Sequence, residues 1–108
     1  MVSYKVSVSD EAKEALQEIH SWLKENESTA IADSVRDGIL DEIESLVKIP
    51  QKHGIAREIQ NDQILYRRIL KWSYRIIFTI DEDEIEVLVV DIVHTKQNPE
   101  RLQDKFGN

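Results

Sequence analysis

Residues 2–8, VSYKVSV, alternate in character, with Tyr4, Val6 and Val8 on one face and Ser3, Lys5 and Ser7 on the other. A period of two predicts a strand half facing water. The period then changes. Ala12, Ala15, Leu16, Ile19, Trp22 and Leu23 recur at helical spacing and form one apolar stripe, with Trp22 as part of the core. Ser9 or Asp10 caps this helix, and Asp10 and Glu11 stand in its first turn, where the helix dipole favours acids. The polar stretch KENES closes it. Ser28 or Thr29 opens a second helix with the stripe Ala32, Val35, Ile39, Ile43, Leu46 and Val47, and Pro50 stops it. Gly38 interrupts that helix at a cost of roughly 1 kcal/mol against alanine, and close packing on the first helix is the expected reason.

Residues 50–62, PQKHGIAREIQND, read as a connection with turn chemistry at Gly54. Three β-type runs follow: QILYRRIL, YRIIFTI and EIEVLVVDIV. Their short links, at Lys71-Trp72-Ser73 and at Asp81-Glu82-Asp83-Glu84, suit antiparallel hairpins. The last two runs are nearly continuous in apolar residues, as central strands are. The polar tail HTKQNPERLQDKFGN predicts a short helix from Pro99. The order β-α-α-β-β-β makes one two-layer α+β domain over residues 1–108. An N-terminal strand and a helical hairpin pack on one face of an antiparallel sheet, and the other face is expected to be open.

Composition narrows the function classes. The chain has 108 residues, 41% hydrophobic and 32% charged, enough for a core and too apolar for disorder. It has no cysteine, which excludes disulfides and thiolate metal sites. The start, MVSYKVSVSDEAKEALQ, shows no signal-peptide pattern, and no run approaches ~20 apolar residues. No membrane association is therefore expected, and the expected location is the cytoplasm. A net charge of −7 argues against general binding to nucleic acid, because affinity for phosphates rests on excess Lys and Arg.

One window runs against that charge. Residues 66–78, YRRILKWSYRIIF, hold Arg67, Arg68, Lys71 and Arg75 without a carboxylate. A three-residue turn puts Arg67 in phase with Arg75; a two-residue turn sets Arg68 across from Arg75 instead. Either way Arg75 points away from Tyr74, Ile76 and Phe78 and so from the helix-packed core. Solvated charge is one reading of these arginines, and a site for an anion or acidic peptide is the other, since guanidinium offers a rigid fork of donors. Trp72, at the hairpin tip, is a candidate contact anchor. His94 and Lys96 end the last strand, where a histidine could carry a proton. His20, His53 and His94 share no metal-ligand spacing, and Asp91 and His94 point to opposite faces, so no metal is expected. The three glycines are scattered and form no phosphate loop. The DEDE run at 81–84 reads as a solvated turn.

From Tyr4 to about Leu102, the strand and helical hairpin, the basic strand, YRIIF, the acidic turn, EVLVVDIVH and the Asn-Pro pair together resemble the RelE/ParE superfamily of bacterial toxins. Tyr74-Arg75 followed by Ile76-Ile77-Phe78, with His94 at the end of the last strand, carries most of the likeness. The resemblance implies the toxin of a type II toxin–antitoxin (plasmid stabilisation) module, held as a hetero-oligomer with a cognate antitoxin and needing no cofactor. One branch of the superfamily cuts messenger RNA on the ribosome; the ParE-like branch inhibits DNA gyrase by binding. For the nuclease branch the matching residues are Arg75, Lys71, His94 and Lys96. Some such nucleases add a C-terminal tyrosine, and here the tail offers Phe106, which has no hydroxyl. The acidic charge and the histidine-ended last strand favour the ParE-like branch. The expectation is therefore a gyrase inhibitor without specific nucleic-acid binding. Arg67, Arg68, Arg75 and Trp72 are expected to bind the antitoxin. The alternatives are a RelE-like nuclease or a non-toxic member that only binds an antitoxin.

Overall fold

The computed structural model describes residues 2–96 and 99–108; Gln97 and Asn98, part of the polar tail that contributed to the resemblance, lie outside the described residues. The elements follow the expected order: β1 (Lys5–Val8), α1 (Asp10–Asn26), α2 (Thr29–Glu44), β2 (Arg67–Lys71), β3 (Tyr74–Asp81), β4 (Glu86–His94) and α3 (Pro99–Phe106). Ser9 is the cap of α1, its Oγ accepting the amide of Ala12 at 3.1 Å. Ser28 caps α2 in the same way, accepting from Ile31 at 3.0 Å. Across the helical hairpin His20 Nε2 lies 2.7 Å from Asp33 Oδ1, and this hydrogen bond holds the Asp33 carboxyl below its usual range. The second helix ends before Pro50. Ser45 Oγ donates to Glu42 O at 2.6 Å, and the chain tightens into a 3-10 turn, Ser45–Val47, that buries Leu46. A hydroxyl that bonds its own backbone competes with helix continuation. Pro50 instead opens a further 3-10 turn, Pro50–Lys52.

The sheet order is β1-β4-β3-β2. β2, β3 and β4 are antiparallel neighbours, whereas β1 lies parallel to β4. A parallel pair needs a long crossover, and here the helical hairpin and two strands intervene. The β2–β3 hairpin closes with two residues, Trp72 and Ser73, because Lys71 pairs with Tyr74. Trp72 takes a φ of 51°, the sign that tight hairpin turns demand. This register sets Leu70 opposite Arg75 and Arg68 opposite Ile77.

Between β3 and β4 the register slips. Ile77 pairs with Asp91 but Phe78 pairs with Val89, so Val90 is the extra residue of a β-bulge. Ser9 binds this point twice: its amide donates to Val89 O at 2.9 Å and its hydroxyl to Val90 O at 3.2 Å. The bulge reverses the alternation of β4. Val87 and Val89 face the helices before it, and Ile92 faces them after it. Val90 and Val93 face the other side.

Two apolar clusters result. On the helix side Ala12, Ile39, Ile43 and Leu46 pack against Ile69, Tyr74, Ile76, Phe78, Val87, Val89 and Ile92. On the outer side Ile77 and Val93 pack against Ala56, Ile59, Tyr66 and Leu102, with Val90 and Phe106 alongside. The outer face is therefore not open, as the element order alone suggested. The amphipathic α3 and the connection before β2 carry apolar residues of their own and bury them there. Asn61 Nδ2 donates to Phe106 O at 2.7 Å, and the Asn108 amide donates to Gln60 O at 3.0 Å. Lys105 bonds Asp91 at 3.1 Å and Glu11 at 2.9 Å; burial opposes its charge, but the two hydrogen bonds outweigh burial and raise its pKa. Trp22 is also displaced from its expected place, being 59% exposed at the end of the α1 stripe rather than in the core. Among the described residues no helix is long and apolar enough to cross a membrane.

Ser9 and Ser28 make equivalent caps, but only Ser9 also holds the bulge. Each serine-to-alanine change should cost about 1 kcal/mol for the lost cap, and Ser9→Ala should cost about 1 kcal/mol more for the second hydrogen bond. Urea unfolding of the two variants measures the difference directly; equal losses would remove the bulge contact from the account.

Candidate functional site

The two-residue hairpin turn sorts the arginines. Arg68 and Arg75 share the outer face with Leu70 and Ile77, whereas Arg67 faces the helix side with Ile69. Arg67 is engaged in the fold: its Nη1 donates to His53 O at 2.7 Å and to Gln51 O at 3.2 Å, tying the turn after Pro50 to β2. Arg68 and Arg75 are different. The Nε–H groups of both are buried and find no hydrogen-bond acceptor among the described residues, and the buried Oε1 of Glu58 finds no donor there. Glu58 Oε1 and Arg68 Nε lie 4.0 Å apart, beyond hydrogen-bond reach. A buried polar group without a partner costs about 1–3 kcal/mol, so this corner of the outer face has unused bonding capacity. Sequence reasoning missed Glu58, which sits in an aperiodic connection and carries no spacing signal.

The hairpin tip packs on α2. Lys71 Nζ lies 3.5 Å from Glu42 and 4.6 Å from the centre of the Trp72 ring. Trp72 is 59% exposed, as a tip residue should be, yet the edge of its indole lies on Gly38. A Cβ added to Gly38 would stand 2.6 Å from Cζ3 of Trp72. The glycine thus serves the tryptophan rather than the packing of α2 on α1, which corrects the expectation from sequence.

His94 faces the helix side, because the bulge has already turned β4. Its ring meets Tyr74 edge-on at 5.3 Å, and its Nδ1 accepts the amide of Lys96 at 3.0 Å. The neutral imidazole therefore carries its proton on Nε2. Burial raises the pKa of the Tyr74 hydroxyl. Glu18, Ile19, Trp22, Tyr74, His94 and Lys96 line a groove of about 530 Å³. The four residues matched to a nuclease do not converge. Arg75 lies on the outer face, His94 and Lys71 lie on the helix side, and Lys71 is paired to Glu42.

His53 has a structural place, edge-on to Phe78 at 5.9 Å. Burial lowers its pKa, helped by Lys52 and Arg67 and partly offset by Glu42. A histidine with a depressed pKa in the fold gives stability that is full above its unfolded value, about 6.5, and lost as pH falls through the folded one. His53→Gln should therefore flatten the fall in stability between pH 7.5 and pH 5, read by urea unfolding at each pH; an unchanged slope would contradict it. The tip makes a second test. Gly38→Ala should gain up to about 1 kcal/mol of helix propensity only when Trp72 is also alanine, and in the native background it should shift Trp72 fluorescence. Equal stability changes in both backgrounds would separate the glycine from the indole.

The family model for the ParE toxin of the parDE type II toxin–antitoxin system matches residues 6–99. No curated protein sequence matches the chain. Among solved structures, the chromosomal ParDE system of P. aeruginosa is similar at 12% identity and a TM-score of 0.68, over 85% of this chain and 96% of that one. The RelBE2 toxin–antitoxin complex of Mycobacterium tuberculosis is similar at 14% identity and a TM-score of 0.61, over 86% and 99%. A mutant E. coli RelE in the free state gives 10% and 0.61, over 96% and 97%. At such identities these structures speak to the fold alone. The family match spans nearly all of the sheet and both long helices, and on that ground the chain belongs to the ParE toxin family of type II toxin–antitoxin systems.

Proposed function

We propose that this toxin acts by binding DNA gyrase, not by cutting messenger RNA, and that an acidic antitoxin neutralises it. The observation that carries the reading is the separation of Arg75 from His94 by the thickness of the sheet. A ribonuclease of this fold needs a phosphate stabiliser and a proton carrier within reach of one phosphodiester. Charge supports the same choice. At net −7 the chain is repelled from the dense phosphates of a ribosome, whereas a protein target needs only a local complementary surface. The Phe106 side chain, packed on Tyr66 at 5.3 Å, supplies no proton either.

Several similar structures are toxin–antitoxin complexes, which supports an antitoxin partner here. Its carboxylates have a natural seat at Arg68 and Arg75. Neither guanidinium is held by a hydrogen bond through its Nε among the described residues, and Glu58 comes no closer to Arg68 than 4.0 Å. A carboxylate accepts from the fork of a guanidinium in charge-assisted hydrogen bonds. Arg67 takes no part in this contact, being committed to Gln51 and His53. Trp72 adds an exposed apolar anchor at the hairpin tip.

The target is decided by two assays on the purified toxin. Gyrase supercoiling of relaxed plasmid should stop while message in a reconstituted translation reaction stays intact, and added antitoxin should restore supercoiling. Codon-positioned cuts with active gyrase would overturn the reading. The antitoxin seat is tested separately. Arg68→Ala with Arg75→Ala should weaken antitoxin binding by about 30-fold or more, and Arg67→Ala should leave affinity unchanged while lowering stability; titration calorimetry reads both.

A further inference from the structure

β2 is an edge strand, and the chain covers only part of its outer edge. Gly54 O accepts the amide of Arg68 at 2.9 Å, Ile55 bridges to Arg67, and the Ala56 amide donates to Tyr66 O at 2.8 Å. This run of residues 54–56 acts as a short fifth strand alongside residues 66–68, and then it turns away. The amide of Arg68 thus points away from β3. In an antiparallel ladder main-chain groups two residues apart point the same way, so the N–H and C=O of Leu70 also point outward. No described residue accepts from that amide. The Leu70 side chain is 55% exposed. A groove of about 350 Å³ runs beside this edge, lined by Glu42, His53, Gly54, Arg68, Ile69 and Leu70.

Uncovered strand edges are templates for pairing, and proteins normally blunt them with a bulge, a proline or a covering loop. Here the covering loop stops one pair short, at an exposed leucine beside the exposed Trp72. The surrounding charge names the visitor's chemistry. Arg68 and Arg75 share the outer face with Leu70; Glu58 approaches Arg68 only to 4.0 Å, and Glu42, which lines the groove, is already paired to Lys71. A second copy of a chain with net charge −7 is a poor occupant by comparison. We infer that the Leu70 edge of β2 accepts an extended acidic segment of the antitoxin by β-strand addition. The segment's main chain pairs with the N–H and C=O of Leu70. Side chains of the added strand alternate between faces, so the residue opposite Leu70 lies on the outer face, where Arg68 and Arg75 receive its carboxylate. This rests on the antitoxin reading given above and says how that partner is held.

The probe is the cognate antitoxin, co-expressed with the toxin and purified as the complex, with amide exchange followed by NMR. In the free toxin the amides of Ile69 and Lys71, which point into the β2–β3 ladder, should exchange slowly and that of Leu70 fast. In the complex Leu70 should slow by about tenfold or more, while Ile69 and Lys71 stay slow. Leu70→Pro deletes the outward donor at a position where the ladder to β3 needs none. It should weaken antitoxin binding about three- to tenfold, whereas Leu70→Val should not. A complex that forms normally with Leu70 still exchanging fast would overturn strand addition and leave the antitoxin reading standing. Failure of the native toxin to bind would overturn both. Leu70 protection that appears in the free toxin with rising concentration and a dimer mass would assign the edge to a second copy and overturn the inference.

Discussion

One extra residue in β4, held by one serine, decides what each face of the sheet presents. Ser9 is the last residue before α1, and its backbone and hydroxyl grip Val89 and Val90 while its side chain also caps the helix. The bulge reverses the facing of every β4 residue that follows it. Ile92 thereby joins the helix-side core and His94 meets Tyr74. Asp91 and Val93 go to the other side, where Asp91 receives Lys105 of α3 and Val93 receives Leu102. Without the slip, an unbroken alternation from Val87 would turn Asp91 into the apolar layer beneath the helices. A carboxylate buried unpaired in that layer would cost several kcal/mol.

The same sorting shapes the chemistry. His94 and Arg75 belong to neighbouring strands yet stand on opposite faces. The helix side offers an apolar groove with Trp22 at its rim, and the outer side offers two under-used guanidiniums next to an uncovered strand edge. The acidic remainder of the chain makes the basic edge stand out, since a net charge of −7 repels polyanions at long range.

Much of the fold was legible because period and capping agree along the chain. The switch from alternation at Tyr4, Val6 and Val8 to helical spacing from Ala12 marks the elements of the first half, and each helix start was narrowed to two adjacent cap candidates, of which the serine is the cap. The bulge was not legible. In EVLVVDIV apolar residues are nearly continuous, so no break in alternation betrays the phase change at Val90, and no glycine marks it. The hairpin register was open for a related reason: Trp72 takes a positive φ where a glycine or asparagine would have announced a two-residue turn. Trp22 sits at helical spacing but at the rim of the groove beside Tyr74 and His94, 59% exposed, which periodicity cannot see. Of the candidate site, Arg68, Arg75 and Trp72 were visible from charge and position, whereas Leu70 reads as one more strand residue until the reach of residues 54–56 is known.

The facing of the residues after the bulge is the claim on which the functional reading depends, and a carbon-edited NOE spectrum of the free toxin tests it. The account predicts contacts from the His94 ring to Tyr74 together with contacts from the Val93 methyls to Leu102. Contacts from the His94 ring to Leu102 or Tyr66, with the Val93 methyls beneath the helices, would contradict it and bring His94 to the face of Arg75.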